Sequence, residues 1–507
     1  VNAVSENLSR PAEALVLETV RQLLAELHPH AGEPLAVHLD SSLERDLGLD
    51  SLARIELLQR IEHAFDVHFS DQVLIAAETP RDLLIAVLAA GASPSPTAAA
   101  TIRSLMLEQV EDLPRQASTL IEMLDWHVKA HPQRLHIYLC TEGEREESIS
   151  YADLREGAGA IAAGLLQRGL TPGQAVAIML PTSREYFFSF FGVLLAGGVP
   201  VPIYPPARFS QIEDHIRRHA GILANALAVL LITVPEAKTL ALLLRAQAGS
   251  LSGVVTAEEL MATRGYFGSL TPPIKGQDTA FLQYTSGSTG NPKGVVLSHA
   301  NLLANIRAMG QAGQVKSTDI FVSWLPLYHD MGLIVAWLCS LYHAIPLVIM
   351  SPLAFLARPQ RWLWAIHQHR GTLSGAPNFA YELCLRKIDD RELEGLDLSS
   401  WRFAFNGAEP VSPDTIQRFQ KRFAAYGFRP EAMTPVYGLA ECSVGLACPP
   451  LGRGPLIDRI QRESFMRSGH ALPAPDDDPT ALRYAACGLP LVGHQIRIVD
   501  ATGLEAG

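Results

Sequence analysis

Apolar side chains recur three and four residues apart in AEALVLETVRQLLAELH, residues 12–28, the spacing of a single helix face. A loop of about twenty residues follows, then SLARIELLQRIEHAF, where Leu52, Ile55, Leu58, Ile61 and Phe65 form a second stripe. RDLLIAVLAA supplies a last short helix, so the first ninety or so residues read as a small helical bundle. The uncharged, Pro-containing GASPSPTAAAT, from Gly91 to Thr101, then reads as a linker. Beyond it the pattern changes: the short apolar runs RLHIYLC, QAVAIML, VPVPIY, AVLLITV and IPLVIM alternate with helical stretches such as ADLREGAGAIAAGLLQRGL and EYFFSFFGVLLAGG. Continuous apolar strands between helices predict parallel sheets covered on both faces, hence an α/β body. GILANALAVLLITV, from Gly221, is shorter than the roughly 20 residues that cross a bilayer and predicts a buried helix-to-strand passage, so no membrane span is expected. HQIRIVD predicts a final strand, after which the chain stops at ATGLEAG in what reads as a turn, as if it were a carboxyl-terminally truncated piece of something longer.

Composition narrows the class. The 507 residues are 48% apolar and 18% charged, ordinary for a globular protein. The net charge of −11 is uneven: up to Gly91 there are 15 Asp and Glu against 6 Arg and no Lys, so −9 of it falls there. That balance argues against a nucleic-acid groove, which needs clustered Lys and Arg. Cys140, Cys339, Cys384, Cys442, Cys448 and Cys487 are scattered without a C-x-x-C, which suits buried thiols in a reducing cytosol. No basic head followed by an apolar run marks a secretory signal.

DLGLDSLARIELL places Ser51 directly after Asp50 at the head of the striped helix, where either residue would serve as an ordinary cap. These residues resemble the carrier-protein signature, in which the serine of G-x-D-S-L receives a 4′-phosphopantetheine arm. The resemblance covers the first ninety residues. It implies an all-α four-helix carrier domain over residues 1–91, attachment at Ser51, a phosphopantetheinyl transferase as partner and an acyl thioester on the arm. A tethered thiol gains effective concentration at every site it reaches. An acidic helix with Glu56 and Glu62 gives basic partner surfaces a docking face.

FLQYTSGSTGNPKGVVLSHANLLANI begins as a strand and ends in a helix opened by Ser298. Between them stand Thr285, Ser286, Ser288 and Thr289, with Gly287 and Gly290 freeing the backbone and Lys293 adding a cation. Hydroxyls, backbone N–H groups and a lysine suit a polyphosphate. The spacing is not that of a Walker A loop, because Lys293 follows Gly290 by three residues and precedes Gly294. T-S-G-S-T-G-x-P-K-G resembles the phosphate-binding signature of the adenylate-forming superfamily, whose members join a carboxylate to ATP, release pyrophosphate and pass the acyl group to a thiol. Three more matches follow in order. WLPLYHDMGLI, with His329 and Asp330, resembles the acyl-side segment. FNGAEP, with Asn406, Gly407, Ala408 and Glu409, resembles the adenine-side loop. YGLAE resembles the motif whose tyrosine, here Tyr437, stacks on adenine and whose glutamate, here Glu441, helps bind Mg²⁺; Gly438, Leu439 and Ala440 lie between them.

By this resemblance Lys293, His329 and Glu441 are the expected catalytic residues and Glu441 the metal ligand. Each motif alone has a plainer reading, as a core histidine, a turn or a helix end. The match runs from about Thr119 onward and implies an α/β adenylate-forming domain at 117–507, with an incomplete terminal β region, after a linker at 92–116. Attack on the α-phosphorus builds charge on phosphoryl oxygens, which calls for positioning and electrostatic stabilisation.

Within the superfamily, SGAPNFAYELCLRKIDDRELEGLDLSSWRFAFNGAEPV and LPLYHDMGL are most similar to fatty acyl-AMP ligases. There the stretch from Lys387 to Leu398 corresponds to an inserted segment, implying poor transfer to coenzyme A and preference for a carrier-bound thiol. An amino-acid-activating domain would carry a Phe-Asp context near Trp324, where this chain has YHD. The expectation is a cytoplasmic loading module that activates a fatty acid for polyketide, peptide or lipid assembly modules downstream. A conventional acyl-CoA synthetase and a non-catalytic carrier scaffold are the alternatives. The superfamily's T-G-D motif, hinge and adenylation lysine do not occur by Gly507, so weak adenylate formation is expected of the chain as given.

Overall fold

The computed structural model describes every residue except 1, 28–35, 44–45, 50–56, 59, 63, 66, 68, 70–72, 74–76, 90–106, 141–145, 206–211, 264–272, 286–292, 501 and 506–507. Two compact units emerge, the first built on residues 1–99 and the second holding 100–205, 216–355 and 359–507.

In the first unit, helices Asn2–Leu27 and Pro80–Ala89 share a core with the helical residues found between 57 and 65. Val16, Val20, Leu23, Leu58, Ile61 and Leu83 are buried together, as the stripe predicts. Leu52, Ile55 and Ser51 lie outside the described residues. The last helix is capped by Asp82, whose Oδ2 accepts from the Glu78 and Thr79 amides at 3.0 and 2.9 Å. Arg81 donates twice to exposed Asp40, at 2.6 and 2.9 Å, tying the long loop to that helix. This hydrogen bond holds the Asp40 carboxyl below the usual aspartate value.

The second unit is α/β, with two main sheets. The larger runs, edge to edge, Met433–Pro435, Phe403–Asn406, Leu373–Ala376, Phe321–Ser323, Leu347–Met350, Leu135–Cys140 and Glu146–Ser150. All its pairings are parallel except the last. The smaller sheet orders Val199–Pro202, Ala175–Met179, Leu230–Thr233 and Gly253–Thr256, all parallel. Helix Arg184–Leu195 is buried from Tyr186 to Leu195, as its unbroken apolar sequence requires. Trp337 packs edge-on to Phe187, Phe190 and Phe191 there. Each such fully buried ring contributes about 2 kcal/mol through burial. Buried Trp362 and Trp401 satisfy their indole N–H groups on Ser374, at its Oγ (2.8 Å) and its carbonyl (3.2 Å).

The alternation of strands and helices follows the sequence expectation, and the apolar run from Gly221 divides between helix Ile212–Asn225 and strand Leu230–Thr233. Among the described residues, no helix is long and apolar enough to cross a membrane. HQIRIVD departs from expectation: residues 494–500 form no strand beyond an isolated bridge from Val499 to Glu505, and Ile496, Ile498 and Val499 are exposed. A β-prone run stays outside a sheet when no neighbouring strand answers its N–H and C=O groups. The later part of the expected linker is fastened down. The Val110 amide donates to Ser317 Oγ at 2.8 Å, Arg134 donates to the Glu108 carbonyl, and Arg307 to the carbonyls of Arg115 and Ala117.

Candidate active site

The hydroxyl-rich motif sits on a hairpin. Strands Thr279–Thr285 and Lys293–Ser298 pair antiparallel, with Thr285 directly opposite Lys293. The tip, which includes Ser286, Gly287, Ser288, Thr289 and Gly290, lies outside the described residues. The hairpin base is pinned by Tyr284, whose hydroxyl donates to Asn225 Oδ1 at 2.5 Å. Ser298 ends the second strand and opens helix His299–Ala312 with a reciprocal capping box to Asn301, as the sequence predicts for that serine.

Thr285 and Lys293 face a cavity of about 480 Å³. Its mouth also gathers His329, Asp330, Ala408, and the run Tyr437, Gly438, Leu439, Ala440 and Glu441. The arrangement follows from topology. His329 comes after strand Phe321–Ser323, Ala408 after Phe403–Asn406, and Tyr437 after Met433–Pro435, so three parallel strands of the large sheet each deliver a loop at their carboxyl ends. That edge is where open α/β sheets bind ligands. Four motifs spread over more than 150 residues of sequence thus line one space.

Lys293 and Glu441 are exposed at this mouth, and Tyr437 keeps 52% of its surface free, leaving an aromatic face for a planar partner. His329 Nδ1 lies 2.7 Å from Asp330 Oδ1, which also accepts the Met331 amide at 2.8 Å. Desolvation pulls the His329 pKa down, but the hydrogen bond and charge of Asp330 outweigh it and hold the ring above the ordinary histidine value.

Behind the mouth the lining is apolar. Met309 and Ala312 come from helix His299–Ala312, Phe321, Leu373 and Phe403 from the amino ends of three strands, and Val335 and Cys339 from the segment after Asp330. Residues Met331–Leu338 wind as a π-helix, whose wide turn sets Met331, Val335 and Cys339, four apart, along the cavity. Sequence reasoning passed over these residues. The four-residue spacing was visible in MGLIVAWLC, but it reads equally as plain core. Burial pushes the Cys339 thiol up to about 12 and that of Cys448, also on the wall, up to about 11.

The adenine-side loop divides. Ala408 reaches the cavity with φ 69° in the left-handed region, whereas Asn406, Gly407 and Glu409 are not on its wall. Asn406 is fully buried at its strand end, where its Nδ2 donates to Asn378 Oδ1 at 3.3 Å and its Oδ1 has no partner among the described residues. Glu409 instead caps helix Asn378–Lys387, accepting the Phe379 amide at 2.6 Å. The stretch from Lys387 to Leu398 is anchored through buried Leu393, Leu396 and Leu398 and through Arg422, which donates to the Ile388 carbonyl and to Asp390.

Comparison with known proteins agrees with this geometry. Residues 124–506 match the AMP-binding enzyme family and residues 18–87 the phosphopantetheine attachment site. The medium-chain-fatty-acid–[acyl-carrier-protein] ligase JamA of Moorena producens is 34% identical over 389 residues, covering 76% of this chain and 65% of that protein. Its counterpart TtuA from Teredinibacter turnerae is 33% identical over 427 residues, covering 77% and 65%. The fatty acyl-adenylate ligase from Legionella pneumophila, solved with acyl adenylate and pyrophosphate, superposes with a TM-score of 0.69 at 33% identity, covering 78% of this chain and 67% of that one. The chain therefore spans about two thirds of the length of the relatives it matches. With its four motifs converging on one cavity at the carboxyl edge of a parallel sheet, the chain belongs to the AMP-binding enzyme family and carries a phosphopantetheine-attachment domain toward its amino end.

Proposed function

We propose that the protein activates a fatty acid with ATP and transfers the acyl group to a phosphopantetheine thiol on a carrier. In the first step a carboxylate oxygen bonds to the α-phosphorus and pyrophosphate leaves; in the second the thiol sulfur bonds to the acyl carbon and AMP leaves. One observation carries the reading: a single cavity with Thr285, Lys293, Tyr437 and Glu441 at its mouth and an apolar wall behind them. Lys293 and the hairpin hydroxyls hold the polyphosphate, Tyr437 stacks on adenine, and His329 with Asp330 orients the carboxylate end of the acid. Asn406, Gly407, Ala408 and Glu409 form and brace the adenine-side loop, and Gly438, Leu439 and Ala440 its facing wall. Glu441 is a fitting donor for Mg²⁺, which takes one or two carboxylates together with substrate phosphates and would neutralise charge on them when bound.

The cavity wall includes Phe403 and Phe405 of strand Phe403–Asn406 and Ala408 just beyond its end. That apolar lining suits an acyl tail, and because the two named relatives are ligases of medium-chain acids, a medium-chain acid is the expected substrate. The acceptor is the arm on Ser51, in a carrier domain at 1–91 joined by residues 92–116 to the ligase body at 117–507. Cys339 and Cys448, held as neutral thiols, do not compete as nucleophiles. A phosphopantetheinyl transferase supplies the arm, and synthase modules in the cytoplasm take the acyl group onward.

The test offers the pantetheinylated protein ATP, Mg²⁺, decanoic acid and coenzyme A, and follows both thiols by mass spectrometry. Acylation of the Ser51 arm with release of AMP is expected, slow in keeping with the weak adenylate formation expected of the chain as given, but in preference to coenzyme A. Acylation of coenzyme A alone, or of neither thiol, would overturn the proposal.

A further inference from the structure

Gln283 lies in strand Thr279–Thr285, two residues before Thr285 and therefore on the same face of the strand. It is 2% exposed, and its Nε2 donates to the Tyr328 carbonyl at 3.0 Å, with the Tyr284 carbonyl at 3.5 Å. Two facing acceptors fix the amide with its nitrogen toward them. Its Oε1 has no partner among the described residues. From a different element, helix Arg184–Leu195, buried Tyr186 donates its hydroxyl to the Leu327 carbonyl at 2.6 Å. The turn that bears His329 and Asp330 is thus hung by two consecutive carbonyls from two buried donors. Gly332 completes the seating, since a Cβ there would stand 2.2 Å from the Pro326 carbonyl oxygen.

We propose that Gln283 is a positioning residue that couples the nucleotide hairpin to the acyl-side turn, setting where His329 and Asp330 stand relative to Thr285 and Lys293. The proposal rests on reading the cavity as an acyl-adenylate site. Leucine would fill the same space without burying an unpaired amide oxygen, so what glutamine adds is the Nε2 bond. Through that bond any movement of the hairpin neck pulls on Tyr328, one residue before His329.

The test uses the full chain as Gln283→Leu and Gln283→Met, both similar in size and both lacking the donor, with Tyr186→Phe as a second removal that keeps its ring. Binding of ATP and of decanoyl-sulfamoyl adenosine, a non-reactive acyl-adenylate mimic, is measured by calorimetry, and the His329 ring is titrated by NMR. The variants should bind ATP within about twofold of wild type but the mimic about tenfold more weakly, because displacement of about 1 Å in a site costs up to about a hundredfold. The His329 titration should move in the same variants. If all three match wild type in mimic binding and His329 titration, or lose ATP and mimic equally along with thermal stability, the coupling is overturned. Should the wild type bind neither ligand, the acyl-adenylate reading itself falls and takes this inference with it.

Discussion

Replacing Gly438 with alanine tests the site through its backbone. A Cβ at this position would stand 1.8 Å from the Val444 carbonyl oxygen, across the ladder in which Leu439 faces Val444. The obstacle is main chain, so no side chain can swing aside. Opening the contact from 1.8 Å to even a tight 3.0 Å requires a displacement of about 1.2 Å. The Val444 side cannot supply it easily. Ser443 and Val444 are already in the left-handed region, at φ 58° and 85°, and buried Asn305 grips Gly445 at both its N–H (3.0 Å) and its carbonyl (2.7 Å). The strand that yields is Tyr437–Leu439, carrying Tyr437 and, just beyond, Glu441. Overpacking of this kind costs about 1–3 kcal/mol in stability, whereas a misplacement of about 1 Å within a site costs up to about a hundredfold in function. Calorimetric ATP binding and a thermal melt on the same sample separate the two effects: ATP affinity should fall by about ten- to a hundredfold while the melting temperature drops by only about 2–10 °C. A folded Gly438→Ala protein with wild-type ATP affinity would refute the reasoning.

Three further outcomes follow from named contacts. Ser51→Ala should abolish the mass gain produced by a phosphopantetheinyl transferase while leaving ATP binding unchanged; a mass gain in the variant would move the attachment point elsewhere. Arg402→Met strips buried Asp319 of a two-pronged partner at 2.9 and 2.5 Å but leaves it the Lys316 amide and Thr372 hydroxyl, so urea unfolding should show a loss of roughly 3 kcal/mol. The His329 pair has a raised folded pKa, so its contribution to stability is full below the unfolded histidine value of 6.5 and fades as pH rises through the folded one. Wild type should therefore exceed His329→Gln in melting temperature most at acid pH, and a difference that grew with pH would contradict the assignment.

The body was legible where apolar runs were long. Helix Arg184–Leu195 and the parallel strands carry unbroken buried sequence, and period and propensity agree there. Legibility failed where pairing decides. Lys293–Ser298 became a strand because Thr279–Thr285 lies beside it, while HQIRIVD, richer in β-formers, did not. The mouth of the site was legible only through the resemblance that joins Lys293, His329, Tyr437 and Glu441 in order, since each motif alone reads as a core histidine, a turn or a helix end. Its apolar wall and its bracing were not. Met309, Phe403 and Val335 look like any core residue, and nothing local to Gln283 or Tyr186 reveals that each meets a carbonyl 45 or 141 residues away.

The central claim is that one cavity takes the nucleotide at its mouth and the acyl tail between helix His299–Ala312 and strand Phe403–Asn406. A decanoyl-sulfamoyl adenosine bearing a diazirine at the far end of its chain, irradiated on the protein and mapped by peptide mass spectrometry, reads this directly. Adducts are predicted at Met309, Ala312 or Phe403, and excess ATP should suppress them. Labelling scattered over other surfaces, or labelling of the wall that ATP leaves untouched, would contradict the account.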